Sequence, residues 1–120
     1  MQSSHAVLLQ SDPQTAQSLI APLSGLFECV HQVHSLEESR ECIVKNRARV
    51  ALVDLEVAKL SDVEVLTKDF PELVVVCNHR LADESLWTAA LSAGAADCCQ
   101  SLDRGGILRA VSGASLAKAA

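Results

Sequence analysis

Few side chains in this sequence are of a type and spacing that could do chemistry. Asp54 closes the apolar run Val50-Ala51-Leu52-Val53, which sets a carboxylate at a strand end. A carboxylate there can act as a nucleophile or help hold a cation. Asp12 and Glu56 are two more acids near apolar segments. Asp12 is explained as a helix N-cap because Pro13 follows it, and Glu56 reads as a solvated loop acid. His31-x-x-His34 has a metal-like spacing but falls on or beside a strand. Residues three apart on a strand point to opposite faces, so the pair reads as surface histidines. The five cysteines, Cys29, Cys42, Cys77, Cys98 and Cys99, are odd in number and lack ligand spacing. No disulfide framework is implied, and adjacent Cys98 and Cys99 read as small buried hydrophobes.

These groups must be positioned by a chain of 120 residues, enough for one domain, read here as 1–120 with its core over about 5–117. The sequence is 49% hydrophobic and so can build a core, whereas only 2% is aromatic. The core is therefore aliphatic, and base stacking on exposed aromatics is disfavoured. A net charge of −5 opposes phosphate backbones and anionic lipid, so no direct nucleic-acid or membrane partner is expected. The N-terminus lacks a signal-like pattern, and no apolar run reaches the roughly 20 residues that span a bilayer. The expected location is cytoplasmic, with reduced thiols.

Short apolar runs alternate with amphipathic stretches. Strands are expected at Ala6–Leu9, Phe27–Val33, Val50–Val53, Leu73–Val76 and Ala96–Gln100. A helix starts at Asp12-Pro13 and ends near Pro22 and Gly25. Others open at capping boxes on Ser35 to Glu38 and on Ser61 to Glu64, the second stopped by Pro71. A fourth helix spans Asp83–Ser92. Asp103 caps a fifth, carrying Ile107, Leu108, Val111 and Leu116, whose second half Gly113 weakens. Strands that are apolar throughout, separated by helices, predict a five-stranded parallel α/β sheet, doubly wound, of flavodoxin-like (βα)5 type. Ligands of such sheets sit at the carboxyl ends of the strands.

Four segments resemble the receiver domains of two-component response regulators. They are Leu8-Leu9-Gln10-Ser11-Asp12-Pro13, Ala51-Leu52-Val53-Asp54-Leu55, Val74-Val75-Val76-Cys77-Asn78 and the run Ala90 to Asp97. The resemblance covers nearly the whole chain and implies that Asp54 is the phosphoacceptor. It departs from the family elsewhere. The acidic pair falls on Gln10 and Ser11, the switch hydroxyl on Cys77, the switch aromatic on Cys98, the lysine on Ser101 and its following proline on Leu102. The proline after the phosphoacceptor falls on Ala58, and the span from Asp54 to Cys77 looks shortened, which implies a short third helix.

The resemblance implies an atypical receiver in phosphorelay signalling, acting by protein–protein contact rather than as an enzyme. Its partners would be a histidine kinase, a phosphotransfer protein or a downstream signalling protein, with homodimers among the expected assemblies. The fourth helix, fifth strand and fifth helix would form the contact face, with Trp87 either an anchor or core-edge packing. Mg²⁺ would be held weakly by Asp54, Asp12 and Glu56, because neither Gln10 nor Ser11 brings a carboxylate. Ser101 cannot neutralise phosphoryl charge, although Arg80 and Lys59 lie in neighbouring loops. The alternatives are a phosphate-independent docking module, or a thiol switch built on Cys77 and Cys98. A small-ligand module lacks a glycine-rich loop at Gln10 to Pro13, and a phosphatase would need Glu56 as its second acid. The unit reads as a stand-alone regulator or as part of a longer chain.

Overall fold

The computed structural model describes residues 4–119, with side chains described over 4–113. Ten elements alternate along the chain: β1 (His5–Leu9), α1 (Pro13–Ser24), β2 (Cys29–Val33), α2 (Leu36–Asn46), β3 (Val50–Asp54), α3 (Leu60–Asp69), β4 (Val74–His79), α4 (Glu84–Ser92), β5 (Asp97–Gln100) and α5 (Arg104–Ala119). The strands form one parallel sheet in the order β2-β1-β3-β4-β5. The expected (βα)5 flavodoxin-like architecture is present.

Strand alternation sorts the aliphatic residues onto two faces. Ala6, Leu8, Leu52, Val74 and Val76 pack with Leu19 of α1 and Ile107 of α5. Val7, Leu9, Val53, Val75 and Cys77 pack with Ile43 of α2, Val63 and Leu66 of α3 and Ala90 of α4. Both faces are covered, which explains why the central strands are apolar at every position.

Helix starts follow side-chain caps. Asp12 accepts from the Gln14 amide at 3.3 Å and from Thr15 Oγ1 at 2.9 Å. Ser35 Oγ accepts from the Glu38 amide at 3.1 Å, while Glu38 reaches back to the His34 amide at 2.6 Å. The start of α3 differs from expectation. Its N-cap is Lys59, whose amide donates to Asp62 Oδ2 at 2.8 Å, so Ser61 lies inside the first turn. An acid three residues after the cap satisfies that orphan amide as well as the expected Glu64 would have done. α3 runs for ten residues, one shorter than α2 and one longer than α4. β2 begins two residues later than expected, because Phe27 is buried among the residues of the α1 and α5 face before the strand starts. α5 continues through Gly113 to Ala119, and the side chain of Leu116 lies outside the described residues.

Among the described residues, no helix is long and apolar enough to cross a membrane.

Candidate functional site

The order β2-β1-β3 places the topological switch point between β1 and β3, where open α/β sheets form a crevice at their carboxyl ends. Asp54 ends β3 there and is only 2% exposed. Its carboxylate is well occupied. Oδ2 accepts from the Ser11 amide at 2.8 Å and from Ser11 Oγ at 2.6 Å, and Oδ1 accepts from the Glu56 amide at 2.8 Å. Charge-assisted bonds of this kind are about twice as strong as neutral ones. They hold the carboxylate against the loops that follow β1 and β3.

A second set of groups, without charge, lies beside it. Gln10 and Asn78 exchange amide hydrogen bonds: Gln10 Nε2 donates to Asn78 Oδ1 at 2.8 Å, and Asn78 Nδ2 donates to Gln10 Oε1 at 2.9 Å. Asn78 Nδ2 also donates to Ser101 Oγ at 2.8 Å. All three residues are buried, Asn78 completely. Asn78 pairs in register with Asp54. The network thus links the ends of β1 and β4 with the turn after β5, and no described buried side-chain nitrogen or oxygen is left without a partner.

This geometry corrects the reading of the switch positions. Cys77 does not face the site. It is fully buried in the core on the α2, α3 and α4 side, because successive strand residues point to opposite faces. Asn78, one residue on, turns toward Gln10 and Ser101 and occupies the place assigned to Cys77. The apolar run that marked β4 carried no signal of where the strand's last inward side chain would fall. The amide–amide pairing of positions 10 and 78 was equally hidden, since it joins residues 68 apart. Ser101 lies beside Asn78 in this cluster.

A cleft of about 420 Å³ opens over these groups, lined by Ser11, Asp12, Asp54, Glu56, Arg80 and Ser101 among others. Asp12, Asp54 and Glu56 therefore share one cleft, but they do not form a ligand set. Asp12 caps α1, and Glu56 Oε1 accepts from Arg80 Nε at 2.9 Å. Among the described residues, the one group of three or more His, Cys, Asp or Glu ligand atoms close enough to share an ion lies elsewhere. A hard dication such as Mg²⁺ wants one or two carboxylates with free oxygens alongside its waters. Asp54, bonded on both oxygens, and two amides at the neighbouring positions do not fit it. Lys59 is not among the residues that line the cleft, and Arg80 is the cation among the described lining residues.

Cys77 and Cys98 are register partners on adjacent strands. Neighbouring strands lie about 4.8 Å apart, inside the window for a disulfide. Burial opposes their use. It pushes Cys77 up to about 12, with Cys98 and then Cys99 adding to the effect, and pushes Cys98 up as well, with Asp97 and Asp83 contributing. Cys99 rises to about 11 through burial and then Asp97. The thiolate needed for exchange is scarce at neutral pH.

The same shifts predict a pH dependence. An acid whose pKa is raised by folding contributes its stability fully below its unfolded value and loses it as pH climbs toward the folded value. For Cys77 that window runs from the ordinary thiol range to about 12. The urea midpoint is therefore expected to fall between about pH 8.5 and about pH 10.5, and to fall less in Cys77→Val.

No family model matches the chain, and no curated protein matches it. Solved structures do. The fold is that of the response-regulator receiver domains. A two-component response regulator of the LuxR family from an Aurantimonas species superposes with a TM-score of 0.82 at 9% identity, covering 97% of this chain and 87% of that one. An orphan response regulator of H. pylori matches with a TM-score of 0.82 at 14% identity over 94% of this chain and 97% of that chain. A response regulator from Burkholderia pseudomallei, carrying a phosphorylated aspartic acid, a calcium ion and citrate, gives a TM-score of 0.78 at 20% identity, covering 98% and 72%.

Proposed function

We propose that this protein is a pseudo-receiver: a signalling module that keeps the receiver fold as a docking surface and is not switched by phosphoryl transfer to Asp54. The observation that carries this reading is the buried neutral network of Gln10, Asn78 and Ser101. Phosphoryl transfer depends almost wholly on positioning and charge neutralisation. Here an amide and a hydroxyl, on Gln10 and Ser11, fall where the acidic pair would be needed, and the Ser101 hydroxyl falls where the cation would be. The partner chemistry that fits is that of the two-component class: a histidine kinase, a phosphotransfer protein or a downstream signalling protein.

The face for such contact is formed by α4, β5 and α5. A groove of about 630 Å³ there is lined by Glu84, Trp87, Asp97, Gln100, Asp103 and Arg109 among others. Trp87 is 44% exposed, and its Nε1 donates to Asp97 Oδ1 at 2.9 Å. A half-exposed, oriented indole is the kind of residue that anchors interfaces. A hydrolase reading has less support, because Glu56, its second acid, is engaged by Arg80.

The test is intact mass after incubation with Mg²⁺ and acetyl phosphate, with Asp54→Asn as control. Neither protein is expected to gain a phosphoryl group. An adduct on the wild type alone would overturn the proposal and make Asp54 a working phosphoacceptor.

A further inference from the structure

At the other end of the sheet, His5, Cys29 and His31 bring three ligand atoms within 4.8 Å of one another. We infer that these three side chains form a binding site for a borderline-soft transition-metal ion of the Zn²⁺ class.

The placement follows from strand register. His5 opens β1, and Cys29 stands directly beside it at the start of β2. His31 lies two residues further along β2, on the same face as Cys29. The His31-x-x-His34 spacing was therefore misleading in its partner rather than in its chemistry. His34 belongs to the start of α2, where its amide donates to Glu38, while His31 meets a histidine 26 residues away.

His5 Nδ1 and His31 Nε2 lie 2.8 Å apart, with the rings 7° from coplanar and their centroids separated by 5.1 Å. That separation is little more than the N···N distance plus two ring radii, so the rings meet edge to edge and the two nitrogens face each other. Between neutral rings one nitrogen must carry a proton. A metal ion can take the place of that proton. Tetrahedral Zn²⁺ with bonds of about 2.0–2.1 Å to nitrogen and about 2.3 Å to sulfur sets its ligands about 3.3–3.7 Å apart. To admit it the imidazoles must part by about half an ångström and tilt, so that their facing lone pairs converge on the ion.

The donor set is two imidazoles and a thiol, which favours zinc and its neighbours over Mg²⁺ or Ca²⁺. Three protein ligands leave a fourth position for water. Cys29 is exposed and both histidines are half-buried, so the site is open to solvent. Burial first, then His5, then Lys45 hold His31 below the usual imidazole value. Lys45 adds some repulsion toward a dication. The site is roughly 15–20 Å from the Asp54 cleft, because it lies at the opening of β1 and the cleft lies past its end. Bound metal would tie the edge strand β2 to β1 and raise stability by linkage.

The experiment uses reduced protein without a histidine tag, titrated with Zn²⁺ against a chromogenic indicator, and with Co²⁺ followed by absorption. The expected result is one Zn²⁺ per chain, a thiolate-to-cobalt band, and a higher melting temperature with Zn²⁺. Cys29→Ser and His31→Gln are each expected to weaken binding by more than about tenfold, the loss already typical of outer-shell changes at such sites. His34→Gln and Cys42→Ser should bind as the wild type does. Circular dichroism confirms that each variant is folded. The inference is overturned if the wild type takes up no Zn²⁺, if one ion serves two chains, or if binding survives Cys29→Ser and His31→Gln.

Discussion

Replacing Asn78 with leucine is expected to destabilise the protein by about 3–5 kcal/mol and to lower its melting temperature by at least about 10 °C. Asn78 is fully buried and holds both ends of the Gln10 amide together with the Ser101 hydroxyl. Its loss strands a donor and an acceptor on Gln10 and leaves Ser101 short of a partner. Each buried polar group left unsatisfied costs about 1–3 kcal/mol. The effect should be strongly non-additive. Replacing every member by an apolar residue, as Gln10→Leu, Asn78→Val and Ser101→Ala together, removes the unpaired groups and should recover most of the loss. Urea unfolding of the singles and the triple measures this. If the triple variant loses the sum of the three single losses, the network is not a unit. The same experiment bears on function, since a network kept for stability alone would be dispensable for partner docking once replaced.

The second large effect is expected at Gly94, where Gly94→Ala should cost about 2–4 kcal/mol. Two causes add. The residue has φ of +108°, a conformation that L side chains rarely adopt. A Cβ there would also stand 2.5 Å from Thr67 Oγ1 and 2.9 Å from Thr67 Cβ. Thr67 cannot easily move away, because its single hydroxyl proton is shared between Glu64 O at 3.0 Å and Ala93 O at 3.1 Å, tying α3 to the end of α4. Combining Gly94→Ala with Thr67→Ala separates the causes. The clash with Oγ1 should be relieved in the double variant, while the 2.9 Å approach to Cβ and the backbone part should remain, the relief being read as the coupling energy in a thermal or urea double-mutant cycle. Full recovery in the double variant would show that the backbone conformation costs nothing.

These two residues mark the limits of what was legible in the primary structure. Gly94 lies in the run from Ala90 to Asp97 that carries the resemblance to receiver domains, but nothing local gave its positive φ. Local rules sufficed for the strand–helix alternation, the parallel sheet, Asp12 as the cap of α1, and Asp54 at a strand end. Each depends on residues within a turn or a strand of one another, where apolar periodicity and capping chemistry act directly. The start of α3 escaped because two acids, Asp62 and Glu64, could serve a cap equally well, and packing selected between them.

The polar sites were decided by the tertiary fold alone. Cys77 and Asn78 are neighbours in sequence, and a strand turns one into the core and the other into the site. Which one goes where depends on register against β3, and register is set by the whole hydrophobic face. Gln10 finds Asn78, and His5 finds Cys29 and His31, only because β1 is an interior strand, with β2 on one side and β3 then β4 on the other. Hydrogen bonds and ligand sets assembled across parallel strands join residues dozens of positions apart, and no local pattern encodes those pairings. The sequence alone determined that this chain forms a receiver-type sheet with Asp54 at its crevice. Only the packing of that sheet decided that Asp54 would be held by Ser11 beside a neutral buried network.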